Sequence, residues 1–410
     1  MKAVARLSLF AQPIGLVAYA GVQLLLLLYF IMTGGLALGG EFALAQSIIA
    51  PAFILLSFSL RQVFVSKGKS ELGLDYRALV TLRLASTALG TLLALAVFSV
   101  SGLELHPAPF LLVLTLKIQE SLADILYARL DSDRRSWLAG LLQTLKAGAI
   151  SLTLALCVLL HLPTHLAAAM IGGVAVACLL AETLVVLRST RFMPAGPRPR
   201  LGALFGIVRS LAWISAANVI ISLSGFLPRY ALEAFAGRAS VGLFAALTLP
   251  ITFLILVCTG LAQTSLLELS DMVRRRRGGA FLGEMGKLLG LVAGVALILA
   301  VTVFAGGTAL LRIVGKTVDP AATIMAAFIL IYLPAFAAQI VSYVFLTLRN
   351  YRTLALINAA ALAAQLALAW PLIRFSPVYG AAFLAVVPSL IQLAGFSFFM
   401  TRFFRAKAPA

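Results

Sequence analysis

The sequence predicts an all-α polytopic membrane protein with about 12 transmembrane helices in two six-helix lobes around a central cavity. Three observations carry the membrane-spanning helices of this fold. The chain of 410 residues is 62% hydrophobic and 11% charged, with a mean hydropathy of +1.06. A soluble domain averages about 45–50% apolar and about 25% charged residues. Apolar runs of roughly 20 residues recur along the whole chain, each long enough to cross about 30 Å of hydrocarbon at 1.5 Å per residue. The basic residues gather in alternate connections between those runs, as the positive-inside rule describes.

The first lobe is expected over 1–190. Its spans are 10–34, 41–60, 79–100, 109–130, 137–160 and 166–187. The first run ends in Thr33-Gly34-Gly35 without a small-x-small cleavage site, which argues against a cleaved signal peptide. A Pro- and Arg-rich stretch, Met193-Pro194-Ala195-Gly196-Pro197-Arg198-Pro199-Arg200, lies in the predicted linker 191–204. The second lobe, 205–410, holds the spans 205–227, 241–266, 283–305, 321–347, 353–373 and 381–401. Pro51 with Phe53 in the second span is echoed by Pro250 with Phe253 in the eighth. This hints at a parallel repeat about an axis along the membrane normal. Pro13, Pro51, Pro250, Pro334, Pro371 and Pro388 lie in or near spans, where proline can kink a helix.

Orientation follows from the Lys and Arg residues. With a cytoplasmic N-terminus, 22 of the 32 fall in inside segments and 5 (Arg229, Arg238, Arg312, Lys316 and Arg374) in outside ones. Both termini are therefore expected in the cytoplasm, and Arg274 to Arg277 reads as a topology anchor on anionic headgroups. The formal charge of +18 is spread over these turns without aromatic interleaving, so no nucleic-acid partner is expected. Cys157, Cys178 and Cys258 lie in apolar runs without metal or disulfide spacing. His106, His161 and His165 fall at outer ends and read as surface residues. There is no Walker A loop, nucleophile elbow or Asp-rich metal motif, and no cofactor is expected.

Five cations lie in or at the edges of spans: Arg83, Lys117, Lys146, Arg209 and Lys287. Lys117, Glu120 and Asp124 share the fourth span. At 3.6 residues per turn they fall within about 60° of one another. Each charge costs about 2.5–3.5 kcal/mol at a helix centre on insertion scales, so such residues pair or serve a function. The face reads either as a self-neutralising cluster, Lys117 with Glu120 and Asp124 with a neighbouring helix, or as the wall of a water-filled cavity. Lys146 shares a face of the fifth span with Gln143 and reads as a cavity residue. Arg83 and Arg209 lie near inner ends, where snorkelling competes with a cavity role. Glu182, within sequence reach of Arg188, reads as structural, and Lys287 as interfacial. Cations slightly outnumber carboxylates within the spans, which suits an anionic cargo.

Two stretches carry a resemblance. One is Leu60-Arg61-Gln62-Val63 with Asp75-Tyr76 and Leu82-Arg83-Leu84. The other is Lys117-Ile118-Gln119-Glu120-Ser121-Leu122-Ala123-Asp124-Ile125-Leu126-Tyr127, followed by Arg134. They resemble bacterial polysaccharide-export flippases. These are the lipid-linked oligosaccharide (O-antigen-type) translocases of the multidrug/oligosaccharidyl-lipid/polysaccharide exporter superfamily. The turn Ala128-Arg129-Leu130-Asp131-Ser132-Asp133 lacks the Gly and Gln usual there. The resemblance covers the first third by motif and the rest by span count. It implies two lobes in a V, with Arg83, Lys117, Glu120, Asp124 and Lys146 lining the cavity. It also implies ion-coupled flipping of an undecaprenyl-diphosphate-linked oligosaccharide across the bacterial inner (cytoplasmic) membrane. Glu120 and Asp124 would couple H+ or Na+, and the cations would meet the diphosphate. Partners implied are the lipid-linked glycan, membrane lipids, a polysaccharide polymerase and a chain-length regulator.

Two rivals remain at this stage. A multidrug cation antiporter of the same superfamily calls for an acidic, aromatic-lined cavity, and the in-span cations count against it. A membrane-embedded glycan polymerase or acyltransferase calls for a sizeable external loop, which the sequence lacks.

Overall fold

The computed structural model describes the chain apart from residues 1, 58–59, 62–63, 65–75, 103–104, 134, 191–200, 256–257, 259–268, 270–271, 274, 276, 314–320, 348–350 and 406–410. The described residues form helices and turns, with no strand among them. In chain order the helices are α1 (Lys2–Ser57), α2 (Tyr76–Val100), α3 (Pro107–Ser132), α4 (Ser136–Leu159), α5 (Thr164–Ser189) and α6 (Leu201–Ala236). Then follow α7 (Arg238–Leu247), α8 (Gly278–Ile313), α9 (Ala321–Ile331), α10 (Leu333–Thr347), α11 (Tyr351–Phe375) and α12 (Pro377–Arg405).

Among the described residues nine helices are long and apolar enough to cross a membrane, or ten with the bent pair Arg238–Leu247 and Leu249–Ile255. This is a multi-pass membrane protein. With the bent pair counted, the two spans still short of the expected twelve have physical sources. First, α3 is too charged for that set, because Lys117, Glu120 and Asp124 lie inside it. Second, α1 is two spans joined without a loop. At Gly35 the backbone takes φ 71° and ψ −172°, a conformation that side chains other than glycine's resist. Phe30 and Phe42 then stack with ring centroids 5.0 Å apart, and Gly39 abuts Ile31. Twelve residues of straight helix would hold those rings about 18 Å apart. α1 is thus a helical hairpin closed at Gly35.

The prolines divide into two groups. Helix α7 stops at Thr248, and the chain bends 49° into Leu249–Ile255 beside Pro250. The expected tenth span breaks at Tyr332 between α9 and α10, two residues before Pro334. At both places the missing proline N–H removes one rung of the helical ladder. Pro371 and Pro388 sit inside continuous helices.

Two compact units make up the chain, Met1–Ser222 and Leu223–Ala410, and the division falls within α6. Of the predicted linker 191–204, residues 191–200 lie outside the described residues, and α6 already begins at Leu201. Arg274 and Arg276 of the basic run also lie outside them.

In the first unit α1 packs on α2, α3 and α4, and α5 packs on α3 and α4. Leu60, Leu79, Leu82, Ala128, Ile207 and Leu211 form one buried cluster, and Ala123, Tyr127, Leu130, Ala139, Leu142 and Val186 another. Gly15 of α1 lies so close to α4 that an added Cβ would stand 2.6 Å from the Gly140 carbonyl oxygen. Small residues let membrane helices approach this tightly. In the second unit α12 packs on α7, α9, α10 and α11, and α8 on α9 and α10. Gln365 ties α11 to two neighbours, its Nε2 donating to the carbonyls of Ser224 (3.0 Å) and Leu384 (2.9 Å). Large apolar side chains face outward, as Leu84, Leu89 and Leu92 do on α2 and Leu297, Ile298, Val301 and Phe304 on α8. Arg83, Gln119, Lys146 and Glu182 are buried. This inversion of the soluble pattern suits a hydrocarbon surround.

Candidate functional site

Helix α3 is the organising element of the first unit. On its charged face Lys117 Nζ pairs with Glu120 Oε2 at 2.6 Å, one turn along the helix. The two side chains are 20% and 43% exposed, so this pair is not enclosed within the first unit. The local pairing foreseen in the sequence therefore exists. Asp124, the third member, turns to neighbouring segments instead.

One carboxylate oxygen of Asp124 accepts from Arg61 Nη1 at 3.3 Å, and the other accepts from Arg83 Nη2 of α2. Arg61 continues to Asp131, where its Nε and Nη2 both reach Oδ2, at 3.1 and 2.9 Å. Its guanidinium also lies over the ring of Tyr127, 5.5 Å from the centroid. Beside this array Thr87 Oγ1 and Ser121 Oγ are 2.7 Å apart and join α2 to α3 by a second hydrogen bond. Asp131 lies seven residues beyond Asp124, so it continues the same face two turns on. Arg83 is 5% exposed and ion-paired, which makes it an interior residue and not a snorkelling one.

A second cluster lies between α1, α3, α4 and α5. The Tyr127 hydroxyl donates to Glu182 Oε1 at 2.7 Å and accepts from Lys146 Nζ at 3.2 Å. Lys146 Nζ is 3.6 Å from Glu182 Oε1, and both side chains are 3% exposed. The ammonium also sits 4.6 Å from the Tyr19 ring centroid and 5.5 Å from that of Tyr127. Aromatic faces stabilise a desolvated cation, by about 2 kcal/mol in favourable cases.

Several expectations change. Glu182 pairs with Lys146 and Tyr127, not with Arg188. Six residues apart on a helix, Glu182 and Arg188 point about 120° apart, and Arg188 is exposed. Most of the in-span cations also have carboxylate partners. Arg61, Arg83, Lys117 and Lys146 are matched by Glu120, Asp124, Asp131 and Glu182. Two of those carboxylates had not been counted as partners. Arg209 stands apart: it is exposed on α6 and belongs to none of these pairs. Lys287 is exposed and pairs with Glu284 at 3.0 Å.

Sequence reasoning missed Arg61, Tyr127, Asp131 and Tyr19 as members of the site. Arg61 reads as a topology cation because it follows a span. Tyr127 and Asp131 carried a usable signal, lying three and seven residues beyond Asp124. Among the described residues no group of three or more His, Cys, Asp and Glu is placed to hold a metal.

No protein-family model matches the chain, and no curated protein matches it in sequence. Its fold does match solved structures. An inward-facing multidrug resistance MATE family transporter of the MOP superfamily superposes with a TM-score of 0.69 at 11% identity, covering 94% of this chain and 96% of that one. A variant of the Vibrio cholerae MATE transporter VcmN gives 0.66 at 14% identity, covering 99% of both chains. A MOP superfamily transporter from Pyrococcus furiosus, whose binding pocket has reverse polarity, gives 0.63 at 14%, again with 99% of both chains. The chain has the fold of these transporters from end to end.

Proposed function

We propose that the chain is a secondary transporter that exports amphipathic organic cations in exchange for H+ or Na+. It would work by alternating access in the bacterial inner membrane, with both termini cytoplasmic. The observation that carries this reading is that four cations of the first unit, Arg61, Arg83, Lys117 and Lys146, lie against carboxylates. Unpaired cations had argued for an anionic cargo. With Arg61, Arg83, Lys117 and Lys146 each facing a carboxylate, that argument lapses. Tyr19 and Tyr127 beside the charges supply the aromatic element that the cation reading requires. The multidrug transporters among the structural neighbours support the same reading.

The second reading is a flippase for an undecaprenyl-diphosphate-linked oligosaccharide, acting with a polysaccharide polymerase and a chain-length regulator. The Lys117-to-Tyr127 motif favours it, as does the Pyrococcus furiosus transporter, whose reverse pocket polarity suggests a different function for that protein. In that reading Arg83, Lys117, Lys146 and Arg209 would meet the diphosphate.

Purified protein in proteoliposomes decides between them. Ethidium exchange is expected, together with lowered ethidium accumulation when the chain is expressed in an efflux-deficient host. Absence of both, with translocation of a labelled lipid-diphosphate glycan to the lectin-accessible face, would replace the first reading by the second.

A further inference from the structure

Glu182 is the most enclosed carboxylate of the charge array. Its side chain is 3% exposed, against 43%, 25% and 10% for those of Glu120, Asp124 and Asp131. Its Oε1 accepts from Tyr127 and faces Lys146, while its Oε2 has no hydrogen-bond partner among the described residues. A buried acceptor left open is costly, by about 1–3 kcal/mol or more for a charged group, and a proton on that oxygen would lessen the cost. Sodium would need several oxygen ligands. Here the nearest polar neighbours are one phenol and an ammonium 3.6 Å away, so a single oxygen besides the carboxylate is on offer to a metal cation.

We propose that Glu182, poised against Lys146 and Tyr127, is the binding site for the coupling ion, and that this ion is a proton. The proposal rests on the exchange function given above and names its ion and residue. The carboxylate takes H+ on Oε2 and becomes a neutral acid; no other bond forms or breaks. Lys146 keeps its ammonium, held over the faces of Tyr19 and Tyr127. The cluster passes from neutral to one net positive charge. That charge disfavours an organic cation in the same unit, so proton binding and cargo release become linked. The groups facing the site are Tyr127 and Glu120 of α3, Lys146 of α4, Tyr19 of α1 and Cys178 of α5 itself. Glu120 stays paired with Lys117 throughout.

The test has two arms. In proteoliposomes the ratio of ethidium transport with and without an imposed pH gradient is measured, and likewise with a sodium gradient. The pH gradient is expected to accelerate wild-type transport at least tenfold and the sodium gradient not at all. In Glu182→Gln the ratio falls to about one. Because that variant strands Lys146, Lys146→Met/Glu182→Gln is measured beside it, with the same ratio expected. The second arm uses no cargo: acidification of the detergent-purified protein should raise an infrared carboxylic-acid C=O band that is missing in both variants. A sodium-driven wild type, a retained pH ratio in the double variant, or a band unchanged by these substitutions would overturn the proposal. If wild type exchanges no ethidium at all, the exchange function falls, and the infrared arm alone decides whether Glu182 binds the proton.

Discussion

Asp124 and Arg83 join α3 to α2 by an ion pair in which the guanidinium is buried and the carboxylate is shared with Arg61. The two arginines are not equivalent. Arg61 holds Asp131 as well, so it keeps a counter-charge if Asp124 is neutralised. Arg83 does not. Asp124→Asn therefore strands Arg83 alone. Breaking a buried pair costs about 3–5 kcal/mol, and the partial exposure of Asp124 places this variant near or below the bottom of that range. Arg83→Met combined with Asp124→Asn should regain part of the loss, since no buried charge is left unmatched. Thermal unfolding of the four proteins in detergent gives the coupling directly. Equal losses in the single and double variants would show that Asp124 stabilises through Arg61.

Tyr127 links Lys146 to Glu182 through one oxygen atom. Tyr127→Phe keeps the ring under Lys146 and Arg61 but removes that oxygen. The loss expected is about 1.5–3 kcal/mol, the range for hydrogen bonds to charged groups. Unlike Glu182→Gln, the variant should retain pH-driven ethidium transport, at a reduced rate. Thermal stability and the transport ratio measured on the same preparation separate the two contributions.

The pair Lys117 and Glu120 gives the opposite expectation for stability. Both side chains are partly open, and exposed ion pairs contribute about 0–1 kcal/mol. Lys117→Ala should leave the melting temperature nearly unchanged. If this face lines the transport path, ethidium uptake should change several-fold all the same. A variant that transports like wild type would remove Lys117 from the site.

The helical scaffold was largely legible because hydrophobic length is a local property. Every predicted span overlaps a helix, and the misjudged features arise where tertiary geometry enters. Gly34-Gly35 reads as a loop between spans, yet a single positive φ closes the hairpin without leaving the helical pattern. The charged face of α3 was readable from periodicity alone. Its partners were not, because nothing in a linear sequence tells Arg61 as an interfacial cation from Arg61 as the clamp on Asp124 and Asp131. The partner of Glu182 was missed for the same reason: sequence proximity favours Arg188, while helix rotation turns Glu182 toward α3 and α4.

A close backbone contact between α1 and α4 makes the last prediction. An added methyl at Gly15 would stand 2.6 Å from the Gly140 carbonyl oxygen and 2.9 Å from Gln143 Cβ and Oε1. The carbonyl is backbone and cannot rotate away, so α1 and α4 must separate. Overpacking of this kind costs about 1–3 kcal/mol. The consequence reaches the buried cluster, because Tyr19 of α1 lies one turn beyond Gly15 and Lys146 lies on the face of α4 that carries Gln143. Gly15→Ala should therefore lower stability and weaken pH-driven transport together. Gly21→Ala on the same helix, where an added Cβ meets nothing within 4 Å, should do neither. Equal melting temperatures for the two variants would show that the α1–α4 contact is looser than this packing requires.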